Sequence, residues 1–117
     1  MLMGKTEEGL EIVRACRDRY DGRVRNPFNE YECGHWYARA LSSYGLLQGL
    51  TGLRFDAVTK TLHVDSKVGD FTSFLSTETG FGSVTLAGSK VSVKAAFGNI
   101  PVSKVSLGGK VVEYKEG

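Results

Sequence analysis

The sequence predicts an α+β protein in which two antiparallel helices pack on a mostly antiparallel β-sheet. Two observations lead there. Apolar residues recur at helical spacing up to about Gly49, and after it Ser, Thr, Val and Gly become frequent while the apolar period falls towards two. No internal repeat, low-complexity tract or linker divides the two halves, so one shared core is expected. The 117 residues fit a single domain, with a helical pair and its connecting loop over 1–50 and a β-rich part over 51–117.

Each element has its own local signal. Thr6 before Glu7 and Glu8 reads as an N-cap with acidic residues in the first turn, where the helix dipole favours them. Leu10, Val13, Cys16, Arg17 and Tyr20 then keep a three-to-four spacing, and Asp21-Gly22 supplies a stop. A second helix is expected from Trp36, because Trp36, Tyr37, Ala40, Leu41, Tyr44 and Leu47 form an apolar stripe opposite Arg39, Ser42 and Ser43. Leu53 with Phe55, and Leu62 with Val64, read as short strands around the turn AVTK. Phe71 to Thr77 is a further strand. Val84 and Leu86 face Val91, Val93, Ala95 and Phe97 across Ala87-Gly88-Ser89 as a hairpin. Ile100 to Leu107 and Val111 to Tyr114 form another across Gly108-Gly109, a two-residue turn whose positive backbone angles suit glycine.

Composition narrows the function classes. Charged residues are 24% and the net charge is +2, so no strong basic field points to nucleic acid. The arginines from Arg14 to Arg25 are interrupted by Asp18 and Asp21 and lack interleaved aromatics, which describes a solvated face. MLMGKTEEGL has no apolar core of signal-peptide length, and no stretch approaches the roughly 20 apolar residues of a membrane span. A soluble, cytoplasmic protein is expected. Its two cysteines, Cys16 and Cys33, then read as buried thiols before a disulfide.

The densest chemistry lies ahead of the second helix, in a loop held by Pro27 and Gly34 that carries Glu30, Glu32, Cys33 and His35. In extended backbone Glu30 and Glu32 would stand on one side, about 6.5 to 7 Å apart, a separation that inverting glycosidases use. Acids near a helix start also answer its dipole, which is the plainer reading. Cys16, Cys33, His35 and His63 match no zinc spacing, and Cys33 beside His35 has no orienting third group for a thiol nucleophile. Gly80-Phe81-Gly82 lacks the spacing and lysine of a phosphate loop and reads as a glycine-rich turn in a sheet. Neither a metal nor a cofactor is expected.

The segment RNPFNEYECGHWYARALSSYGLLQGLTGLRFD, followed by TLHV and FTSFLSTETGFGSV, resembles the C-terminal end of the bile-acid β-glucosidase or non-lysosomal glucosylceramidase family of glycoside hydrolases. The resemblance runs from Gly22 onward. It is most specific over Asn26 to Arg39, where the pattern Asn-Pro-aromatic-x-Glu-x-Glu-Cys-Gly-x-x-Tyr-x-Arg is kept without insertion. It implies a retaining enzyme built on a barrel of paired helices and acting on β-glucosides, whose glutamate nucleophile and aspartate acid/base lie upstream of the matched region. The chain would then be a fragment, a split-gene product or a degenerate relative, without catalytic carboxylates and inactive by itself.

By position, Glu30 and Arg39 match family residues that hold sugar hydroxyls, a task suited to charge-assisted hydrogen bonds. His35-Trp36 departs from the family pattern, so neither is assigned to the sugar, and Trp36 is placed on the apolar stripe. Thr79-Gly80-Phe81-Gly82 corresponds to the family's aromatic-glycine turn. The implied partners are a weakly held β-glucoside-type sugar and either an upstream catalytic segment or a second copy of the chain. Apolar helix flanks that lack their barrel neighbours would drive a homo-oligomer, with Tyr20, Trp36, Tyr44 or Leu47 near the contact. The alternative is a stand-alone binding or structural module that catalyses nothing.

Overall fold

A computed structural model describes residues 1–19 and 44–116. The chain divides into two compact units, Met1–Leu46 and Leu47–Gly117. In the first, helix α1 runs over Thr6–Arg19 with Glu7 and Glu8 in its first turn. The Lys5 carbonyl accepts the first helical bond, from Gly9 N–H at 3.2 Å, so Lys5 holds the cap position and Thr6 is already helical. Thr6, Gly9, Leu10, Val13 and Cys16 make a half-buried stripe at the expected spacing, while Arg17 is exposed. The stop signal Asp21-Gly22 and most of the second expected helix lie outside the described residues.

What is described of that second region is α2, Gly45–Thr51. It ends on Gly52 at φ +60°, the left-handed residue that closes a helix. The Thr51 hydroxyl donates to the Leu47 carbonyl (2.5 Å) and accepts from Leu53 N–H (3.2 Å), so one side chain serves both sides of the break. Lys67 N–H donates to the Leu50 carbonyl at 2.7 Å and ties the helix end to a later loop. Gly49 and Thr51 are therefore the buried positions. Tyr44 and Leu47, expected on the core-facing stripe, are exposed instead.

The rest is β, and the α+β class holds. The strands are β1 Arg54–Asp56, β2 Thr61–Val64, β3 Phe71–Ser76, β4 Gly80–Ala87, β5 Lys90–Gly98, β6 Lys104–Leu107, β7 Lys110–Val112 and β8 Tyr114–Glu116. They form two sheets, ordered β1-β2-β6-β7 and β3-β4-β5-β8. Pairing is mostly antiparallel, with the parallel exceptions β2 with β6 and β5 with β8. The chain changes sheets three times, the last within the expected strand Val111 to Tyr114: it breaks at Glu113, leaving β7 in one sheet and sending β8 to the other.

One core joins the inner faces. Leu62, Val64 and Val105 come from the first sheet and Leu75, Val84, Leu86, Val91 and Val93 from the second, with Ile100 and Val102 supplied by the connection between them. That connection was expected to be strand from Ile100. It is a γ-turn instead, in which Val102 N–H donates to the Ile100 carbonyl (2.8 Å) across Pro101, a residue with no N–H for a ladder. The Tyr114 hydroxyl donates to the Val102 carbonyl and fastens the last sheet change to this turn. The remaining turns follow their sequence signals: Gly108 and Gly109 both have positive φ, and at Gly88-Ser89 only the glycine does.

Candidate functional site

Glu30 and Arg39, the sugar-holding pair of the sequence reading, lie outside the described residues, as do Glu32, Cys33, His35 and Trp36. Of the four candidate metal ligands, Cys16 stands half-buried on α1 and His63 half-buried on β2. Among the described residues no three His, Cys, Asp or Glu side chains gather. Nor is any helix among them long and apolar enough to cross a membrane.

The surface feature that stands out is the outer face of β3, β4 and β5. It was not anticipated, and it arises from a register slip. Gly82 pairs with Ala95 but Phe81 pairs with Phe97, so Ala96 is an extra residue in β5. Before the bulge Val91 and Val93 point into the core. After it the parity reverses, and Phe97, which strict alternation would bury, is 69% exposed. Phe81 on β4 and Phe74 on β3 are 43% and 64% exposed. The rings form a row, with Phe81 stacked on Phe97 at 5.7 Å and 23° and tilted to Phe74 at 6.1 Å and 41°. Beside the row run Ser76, Ser83 and Lys94, and then Thr72 and Thr85, whose hydroxyls bond at 2.9 Å.

The β3–β4 pairing corrects the reading of Thr79-Gly80-Phe81-Gly82 as a turn. The turn lies two residues earlier: Thr77 N–H donates to the Gly80 carbonyl at 2.8 Å, with Glu78 and Thr79 between them, and Gly80 already begins β4. Its glycines serve close backbone approach. A Cβ on Gly82 would stand 2.0 Å from the Lys94 carbonyl oxygen, and one on Gly80 would stand 2.5 Å from that of Phe97.

An open cleft of about 320 Å³ lies at the ends of the strands between Asp65, Ser66, Asp70, Gly88 and Gly108. Its polar groups are already engaged in holding the loops. Asp70 accepts from Gly88 N–H (2.7 Å), Ser66 donates to the Gly69 carbonyl (2.6 Å), and Asp65 pairs with Lys67 at 2.6 Å. Among the described residues the carboxylate held below its ordinary pKa is Asp56, at the β1–β2 turn. The Thr59 hydroxyl is the main cause, followed by the backbone N–H groups of Thr59 and Val58 and, more weakly, the charge of His63. That is turn chemistry, on an exposed loop.

No family model and no curated protein matches the chain.

Proposed function

We propose that the chain is the carboxy-terminal part, or a degenerate relative, of a retaining β-glucosidase of the glucosylceramidase type. In this reading it holds glycone hydroxyls with Glu30 and Arg39 and contributes no catalytic carboxylate. The observation that carries it is the uninterrupted resemblance from Asn26 to Arg39, in which an acceptor and a bidentate donor stand at the positions of sugar-holding residues. A retaining mechanism needs two carboxyl groups about 5 to 5.5 Å apart across the scissile bond. The matched region supplies neither member of that pair.

Chemical-shift titration with glucose and simple β-glucosides tests the proposal. Shifts around Glu30 and Arg39 that vanish in Arg39→Ala support it. An absence of shifts together with a lowered melting temperature in Arg39→Ala would reduce the pair to a salt bridge that pins the loop. The chain by itself is expected to hydrolyse no aryl β-glucoside above background. Turnover that disappears with Glu30→Gln or Glu32→Gln would overturn this and favour an inverting pair.

A second reading, a stand-alone binding or structural module, is favoured by one observation. The β-rich unit has its own continuous core and offers an exposed aromatic surface.

A further inference from the structure

A sheet of four strands has two end strands, and each offers a row of unpaired N–H and C=O groups to solvent or to another chain. Among the described residues the end strands are β1 and β7 in one sheet and β3 and β8 in the other. Three of them have protection of the kind that edges are ordinarily given: all three are only three residues long, and two carry charge, Arg54 and Asp56 in β1 and Lys110 in β7. The exception is β3. It is six residues long, Phe71-Thr72-Ser73-Phe74-Leu75-Ser76, with no charge and no proline.

The register shows what this edge presents. Thr77 N–H bonds the Gly80 carbonyl, and the β3–β4 pairs continue that count without interruption to Phe71 opposite Leu86. Hydrogen-bonded pairs alternate along an antiparallel ladder, so the odd-numbered residues of β3 bond β4. Thr72, Phe74 and Ser76 therefore aim their N–H and C=O groups away from the sheet. Their side chains are also the exposed ones.

We propose that β3 is a self-association edge, at which two copies of the chain pair their β3 strands antiparallel about Phe74 to form one continuous eight-stranded sheet. The strand is complementary to itself in that register. Phe74 would exchange both backbone hydrogen bonds with the partner's Phe74, and Thr72 would stand opposite the partner's Ser76, hydroxyl to hydroxyl. No like charges meet across the pair, because the strand has none. The row Phe97, Phe81, Phe74 would continue directly into the partner's row, joining two exposed aromatic ridges into one. The arrangement is two-fold and consumes the edge in both copies, so it closes at a dimer. It differs from the helix-flank contact expected from the sequence, and it stands whether or not the chain binds sugar.

Light scattering and sedimentation of the full chain test it, with two double variants. Thr72→Lys with Ser76→Lys sets lysine opposite lysine at both ends of the paired strands and should return the mass of a single chain. Thr72→Lys with Ser76→Glu sets lysine opposite glutamate and should restore the dimer; since it keeps the first substitution, recovery also excludes simple misfolding. A monomeric wild-type chain would overturn the proposal, as would a wild-type species larger than a dimer. So would a dimer indifferent to the lysine pair, or loss of association in Phe97→Ser alone, which would move the contact from the edge to the face.

Discussion

Three glycine-to-alanine substitutions separate two penalties that coincide at Gly52. Gly69 has φ +75° with nothing within 4 Å of the position a Cβ would take, so alanine there meets backbone strain only. A left-handed conformation costs an alanine about 1 to 2 kcal/mol, offset by about 0.4 to 1 kcal/mol of lost freedom in the unfolded chain. Gly69→Ala should therefore destabilise by about 0.5 to 1 kcal/mol. Gly82 has no positive φ, but its Cβ would stand 2.0 Å from the Lys94 carbonyl oxygen, a paired backbone atom that cannot rotate aside. Forced overpacking of that kind costs about 1 to 3 kcal/mol, so Gly82→Ala should lose about 2 kcal/mol.

At Gly52 both apply. Its φ is +60°, and the added carbon would lie 2.3 Å from the Asp65 carbonyl oxygen and 2.6 Å from the carbonyl carbon. Gly52→Ala should lose about 3 kcal/mol, a large part of the roughly 5 to 15 kcal/mol that holds a small domain folded. Urea unfolding followed by far-ultraviolet circular dichroism measures all three. Equal losses for Gly52→Ala and Gly69→Ala would refute the reasoning, since the backbone of Asp65 would then be yielding freely.

Other outcomes follow from single turns. Lys60 is the one described residue other than glycine with positive φ, at 54°, and its carbonyl accepts from both Ser103 and Lys104 N–H. Lys60→Gly should raise stability by about 0.5 kcal/mol by relieving left-handed strain, and a loss in thermal unfolding would contradict this. Asp56 should titrate below the ordinary aspartate range in a carboxylate NMR titration. Because its folded pKa is depressed, its contribution to stability is present above the unfolded pKa and is lost as pH falls through the folded one; Thr59→Val should move its midpoint back up. Tyr114→Phe removes the donor to the Val102 carbonyl and should cost about 1 kcal/mol in the same unfolding assay.

Local patterns carried much of this fold. The hairpins around AVTK, Gly88-Ser89 and Gly108-Gly109 were legible because turn chemistry acts within a few residues; the last two are two-residue loops, which demand particular backbone angles. The acidic first turn of α1 and its half-buried stripe follow from the helix dipole and the helical period in the same way. The candidate sugar pair Glu30 and Arg39 came from motif resemblance, and both lie outside the described residues. The aromatic row was hidden for a physical reason: one extra residue, Ala96, inverts the inward and outward sense of everything after it, and alternation alone places Phe97 in the core.

By itself, then, the sequence determined the class, the order of the elements and most of the turns, all of which depend on interactions between near neighbours in the chain. Only the tertiary structure decided which strands share a sheet. The break at Glu113 sends Tyr114 across to β5 while Val112 stays beside β6, a choice made by contacts distant in sequence. It decided also that α2 buries Gly49 and Thr51 and leaves Leu47 exposed, with Tyr44 exposed just ahead of it, where the loop at Lys67 bonds the helix end. And it decided that β3, which reads as one strand among several, stands at the end of its sheet among the described residues, with the N–H and C=O groups of Thr72, Phe74 and Ser76 turned away from β4.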